Sequence, residues 1–518
     1  MNVQGVTTST STLTFRHAGA PEPDPARGAA PPPATQGSRE ASAAATSAPA
    51  QVQAVGARGP ADPLGLAGLP TCVEDAARAA ARRSDGPPDP TRFSSLRTRL
   101  ETAVRALPER YRKAVGEPLL LALDELGARG LAQLLAEDPE REGGARLLLD
   151  AAQAVLQHGE GYQPRATAAF QEVVSDLYEG FLADEKRAGV RPPGRGAVPP
   201  LVRWGSAEAG PYTWPVTATR SLGLEAPVVS LPAANASGGL LAWAALAHET
   251  AGHDLLAADV GLQEELGRTV RAALLGSRTS PVIAGYWAER IDETASDVLG
   301  VLNMGPAAAV GLIGYLRGVN GAWSGTAALR SEGAATDPHP TDLARAYLVA
   351  ETVRLLHFTG AGTWADRLIR EADRDLGHLT LGDVAVTAGV ARASAAEVAR
   401  AIVTTRLGAL EGHALGDLQG WTDQDEAIVE ALRPQLAGGG AAGGGSAAPY
   451  VPGAYAAHAV AAGVYEAVSG RTDPSRVQRR MEELLATMHA ANPKDRTSSQ
   501  PPAHLAATLW LEAGRRGG

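Results

Sequence analysis

Residues 246–256 read LAHETAGHDLL, and the two histidines of this stretch, His248 and His253, stand five residues apart with Glu249 between them. No other feature restricts the backbone so tightly. An α-helix turns about 100° per residue, so side chains four apart share a face while side chains five apart are separated by about 140°. Two imidazoles at this spacing meet one ion only if the helix widens by a residue. A single π-type turn does that, and such turns occur mostly at functional sites. Gly252, directly before His253, suits a helix forced off its regular path. If the two histidines serve one metal ion, the spacing predicts a π-type turn over residues 248–253.

Glu249 follows the first histidine, where a zinc peptidase needs a general base to take a proton from water and pass it to the leaving amine. A catalytic zinc usually has three protein ligands and a water, so a third ligand is required. The segment IDETASD supplies Glu293 and Asp297 four apart on a predicted helix, with Asp292 beside them. Glu293 is the preferred ligand, and Asp297 is placed to accept a hydrogen bond from a ligating imidazole. Asp259, six residues after His253, is the competing ligand. That arrangement needs a glycine three residues past the second histidine to turn the chain, and Leu256 stands there.

HETAGH resembles the HExxGH signature of the dipeptidyl peptidase III family, and DETASD resembles that family's EExRAE element. ETASD is equally similar to the ExxxD element of thermolysin-like gluzincins. The resemblance covers about sixty residues around the site. It implies a gluzincin-type zinc metallopeptidase with Zn2+ on His248, His253 and Glu293, Glu249 as base, and Asp292 and Asp297 as supporting acids. DPHPTDLAR (337–345) is similar to the HPxxxxR element of zinc peptidases with HExxH sites. By that likeness His339 stabilises the oxyanion and Arg345 organises its loop. APVVSLPAAN looks like the edge strand that runs beside the metal helix in zincins, where an extended peptide pairs by main-chain hydrogen bonds. An ordinary core strand fits the same letters.

Residues 1–91 are rich in Ala, Pro, Gly and Ser and nearly lack large apolar side chains, which predicts a disordered arm. Residues 92–435 read as the catalytic domain. Within it, 92–190 repeat apolar residues at three and four, as helices do. Short β-branched and aromatic runs at 199–232 are strand candidates, and 239–300 hold the metal helices. A Gly-rich linker or loop at 436–447 precedes a C-terminal helical segment, 448–518. Strands placed ahead of a helix-rich body indicate an α+β fold, mainly helical. The resemblance makes it a zincin-like domain with a small sheet beside the metal helix.

The net charge of −10 argues against nucleic acid as a partner, and peptide or protein substrates fit the motifs better. The lone cysteine, Cys72, excludes an internal disulfide. It is expected to be an inert thiol in a loose tail rather than a latency cap on the metal. The first residues lack a basic region and an apolar core, and no run reaches a membrane span, so the cytoplasm is the expected compartment, with non-classical export open. Two other functions stay in view. One is an inactive zinc-bound scaffold. The other is a DNA-binding helix-turn-helix at 380–407, with Arg392, Arg400 and Arg406 meeting phosphates.

Overall fold

The computed structural model describes residues 65–82, 86–139, 141–182, 189–191, 193–195, 198–438 and 451–492. Apolar residues at helical spacing give, ahead of the sheet, helices α1 (Leu69–Ala81), α2 (Phe93–Ala106), α3 (Glu117–Glu137), α4 (Gly144–Gly159) and α5 (Pro164–Leu182). The strand candidates form β1 (Leu201–Gly205), β2 (Tyr212–Trp214) and β3 (Val228–Pro232). Beyond them, the metal segment leads into α6 (Leu262–Gly276), α7 (Pro281–Glu289), α8 (Ile291–Met304), α9 (Pro306–Ser324), α10 (Asp342–Arg354) and α11 (Ala361–Ala372). A two-residue-per-strand hairpin at 380–385 follows, then α12 (Ala388–Thr404), α13 (Asp423–Ala437), α14 (Ala456–Val468) and α15 (Pro474–Ala491). The fold is α+β and mainly helical. Among the described residues, no helix is long and apolar enough to cross a membrane.

The sheet is sandwiched between two cores. Leu201, Tyr212, Trp214 and Val228 face the leucine-rich sides of α2, α3 and α4. Val202, Trp204, Val229 and Leu231 face α5 and the metal segment. This is the period-two alternation of a strand with both faces covered, which is why these runs are apolar at nearly every position. The strand order is β1-β3-β2, with β1 parallel and β2 antiparallel to β3. APVVSLPAAN is therefore the central strand, not the edge strand. Its main-chain groups are taken on both sides, and β2 is the strand that lies against the metal segment.

Buried Asp150 of α4 pins the sheet. It pairs with Arg203 of β1, accepts from the Tyr212 hydroxyl at 2.6 Å and from Trp214 Nε1 at 2.7 Å. One carboxylate thus fixes two strands to the helical layer.

Helix α1 lies inside the stretch expected to be disordered, and that expectation fails there. Leu69, Cys72, Val73, Ala76 and Ala79 are buried. The partner surface is α9, where an added methyl group would come within 3.0 Å of Leu69 at Gly314 and 2.6 Å of Ala76 at Gly318. Small residues on both helices let the backbones approach, so dispersion contacts hold α1 without large side chains. A composition reading misses this. Asp75 adds a polar tie, accepting from Gly239 N at 2.7 Å and Leu240 N at 3.3 Å. Residues 1–64 of the expected arm, most of the Gly-rich stretch 436–447 and residues 493–518 lie outside the described residues. Helix α14 is buried along its whole length, so the C-terminal segment is part of the main body.

The helix-turn-helix reading is overturned. Residues 388–404 are one continuous helix capped by Thr387, whose hydroxyl accepts from Val390 N. Ahead of it, residues 380–385 form a hairpin in place of a first helix. Arg392 pairs with Asp373 and Arg400 with Glu397 rather than lining a free basic face.

Two outcomes follow from these contacts. Asp150→Ala strands a buried guanidinium and lowers the unfolding free energy by about 3–5 kcal/mol, measured by urea titration; a loss under about 1 kcal/mol contradicts the pinning role. Cys72 is 1% exposed, and burial with nearby Asp75 and Asp473 pushes its thiol up to about 12. Only the thiolate attacks, so native protein at pH 8 leaves a disulfide reagent uncoloured, and one equivalent reacts on unfolding.

Candidate metal centre

Residues Ala247–Asp254 form a π-helix. The extra residue is absorbed there because α8 presses against this segment at two points. A Cβ on Gly252 would lie 2.4 Å from Ser296 Cβ, and one on Gly300 would lie 3.3 Å from His248 N. Glycine at each point lets the two backbones close up. The wide turn brings the imidazoles together, with His248 Nε2 and His253 Nε2 3.1 Å apart and the rings near perpendicular.

Helix α8 supplies the rest. Glu293 Oε2 lies 3.3 Å from His248 Nε2, and Glu293 Oε1 lies 3.6 Å from His253 Nε2. Metal–ligand bonds of about 2.0–2.1 Å in a tetrahedron put ligand atoms roughly 3.3 Å apart. The two Nε2 atoms stand at about that spacing, and Glu293 turns a different oxygen to each of them. His248, His253 and Glu293 are the buried group whose ligand atoms converge.

The outer nitrogens fix the tautomers. His248 Nδ1 meets Asp297 Oδ1 at 2.8 Å. His253 Nδ1 meets Asp292 Oδ1 and the Ser296 hydroxyl, both at 3.2 Å. With each Nδ1–H donating to a carboxylate, each Nε2 turns a lone pair inward. Two lone pairs and the Glu293 carboxylate then face one another in a dry interior. Such a set of acceptors needs a cation among them, a proton or a metal ion. The titration directions express the same fact. Burial lowers His253, but Asp292 and Glu293 outweigh it and raise the imidazole to about 10. Burial alone would raise Glu293, yet His339, His253 and His248 hold it well below the usual carboxylate range.

Glu249 is fully buried, and neither carboxylate oxygen has a hydrogen-bond partner. Desolvation raises its pKa, partly offset by His253 and His248. The Thr213 hydroxyl of β2 donates to the Glu249 backbone carbonyl at 3.4 Å, fixing the turn that carries it. His339 comes from the loop before α10. Its Nδ1 is held by Asp337 at 2.9 Å, while Nε2, which has no hydrogen-bond partner, points to Glu293 Oε1 at 3.4 Å.

Other expectations meet different outcomes. Asp259 is outside the converging group, because the helix runs on through Leu255–Ala258 with no turn back toward the ligands. Arg345 does not organise the His339 loop through its side chain. Its guanidinium bonds Asp297. Asp337 and Ser296 were not singled out in the sequence; Asp337, two residues before His339, carries a legible spacing, and Ser296 carries none.

The close approach at Gly252 makes a direct prediction. Gly252→Ala lowers stability by about 1–3 kcal/mol through overpacking, and adding Ser296→Gly recovers part of the loss in the same urea titration. A neutral Gly252→Ala contradicts the contact. No protein-family model matches the chain, and neither a curated protein nor a solved structure matches it, so its chemistry is argued from its own residues.

Proposed function

We propose that this chain is a zinc-dependent peptidase of the gluzincin type, hydrolysing peptide bonds in peptide or protein substrates. The observation that carries the reading is a set of inward-facing acceptors within 4.8 Å of one another beside a buried glutamate whose carboxylate has no hydrogen-bond partner. Two imidazoles and one carboxylate are a usual catalytic zinc set. His248, His253 and Glu293 would hold the ion, which when bound supplies Lewis acidity to the attacking water and the substrate carbonyl.

The chain's own residues do the remainder. Glu249, its basicity raised by burial, takes the proton of the attacking water and returns it to the departing amine. His339, aligned by Asp337, stabilises the carbonyl oxygen as charge develops there in its imidazolium form, donating from Nε2–H. Asp297 and Asp292 hold the two ligand rings in their metal-binding tautomers.

A second reading, an inactive metal-holding scaffold, is favoured by one observation. The site residues are buried, and β2, the strand beside them, is at most 2% exposed, which leaves no edge for an extended peptide. The two readings predict different behaviour. A peptidase binds one zinc that is lost in His248→Ala and His253→Ala, while Glu249→Gln keeps the metal and the fold and loses about 10²–10⁴-fold in hydrolysis. Metal analysis and a peptide-library assay check both. Full zinc in either histidine variant, iron in place of zinc, or an unchanged rate in Glu249→Gln overturns the peptidase reading. Bound zinc without turnover of any peptide favours the scaffold.

A further inference from the structure

We infer that Arg345 is the positioning residue of this centre, holding His248 in ligand orientation through Asp297 and bracing Glu293 from the same side. The inference rests on the metal reading above, and it starts from where the guanidinium lies. Arg345 is on α10, 1% exposed, and reaches across to α8. Its Nε donates to Asp297 Oδ2 and its Nη2 to Asp297 Oδ1, both at 2.8 Å. Two parallel bonds of this kind fix the plane of a carboxylate as well as its place. The plane so fixed aims Oδ1 at His248 Nδ1, 2.8 Å away. The same Nη2 stands 3.8 Å from Glu293 Oε2, an oxygen with no hydrogen-bond partner. One rigid fork thus faces two of the three acids of α8, Glu293 as the ligand of this reading and Asp297 as the support of His248.

The second histidine is held differently. His253 Nδ1 has Asp292 and Ser296 at 3.2 Å, and the Asp292 side chain is 25% exposed. The two imidazoles therefore differ in restraint: His248 is set by a buried, forked ion pair, and His253 by longer bonds near solvent. Substitutions behind His248 should disturb the metal more than equivalent ones behind His253. A purely packing arginine gives no such difference, since its loss would cost stability alone.

The test uses the full-length chain and reads zinc affinity by competition with a chromogenic chelator, together with the visible spectrum of the cobalt-substituted protein. Lysine presents one compact ammonium and cannot form both bonds at once. Arg345→Lys should weaken zinc binding by about 10–100-fold, the usual cost of losing a ligand's outer partner, and shift the cobalt bands. Ser296→Ala, behind His253, should change affinity by less than about threefold, well under that cost. In an Asp297→Asn background, Arg345→Lys should add little, because the residue it acts through is already altered. Arg345→Gln, which keeps a planar amide donor, is the second variant should the lysine form fail to fold, with an effect in the same direction. Wild-type affinity and an unchanged cobalt spectrum in the folded Arg345 variants overturn the inference. So does an undiminished Arg345→Lys effect in the Asp297→Asn background. A wild-type chain that binds no zinc instead sinks the metal reading itself, so the two failures are distinguishable.

Discussion

Helix α8 lies so close to residues 247–254 that a methyl group has no room at Gly252 and only a tight fit at Gly300. The rest of the centre depends on that contact. It places Glu293 between the two inner imidazole nitrogens, and it sets Asp297, Asp292 and Ser296 behind the outer ones. Four residues of one helix thereby serve both histidines of another. A regular α-helix at 247–254 would send one imidazole to another face, away from the acids of α8 that now meet it. The π-helix and the acid-rich face of α8 stabilise each other.

The histidine spacing was legible because it is a geometric demand: five residues, one ion, one way for the helix to comply. Glu293 and Asp297 were legible for the same kind of reason, since four residues on a helix share a face. The helical and strand regions could be read from period alone. What escaped the sequence was decided by contacts remote in the chain. The role of β3 as central strand depends on which neighbours pair with it, and the letters of a buried strand do not differ between middle and edge. Helix α1 escaped because its stability comes from backbone approach to the glycines of α9, which no count of large apolar residues records. Arg345 was noticed by its spacing from His339, but its partner across the helix layer was not inferable from either residue.

The centre also sits where the layers meet. Thr213 of β2 touches the turn that carries Glu249, while Asp150 fixes the same strand to α4 through Tyr212 and Trp214. Phe170, Trp204 and Trp243 meet at steep angles between sheet and metal segment, with ring centroids 5.0 to 6.3 Å apart. These rings fill the space that the small residues elsewhere leave, and rigid aromatic contacts of this kind hold orientation as well as area. Glu249 is thus positioned from the sheet side, and the two imidazoles from the helix side.

The tie between α1 and the start of the metal segment has a mechanical meaning. Asp75 grips the N–H groups of Gly239 and Leu240, and those residues open the segment that leads into His248. Both elements rest on the same glycine-lined face of α9. Tension applied through the chain ahead of Leu69 is therefore not dissipated at the surface. It is carried by one carboxylate, across a distance of two hydrogen bonds, into the backbone that begins the metal helix.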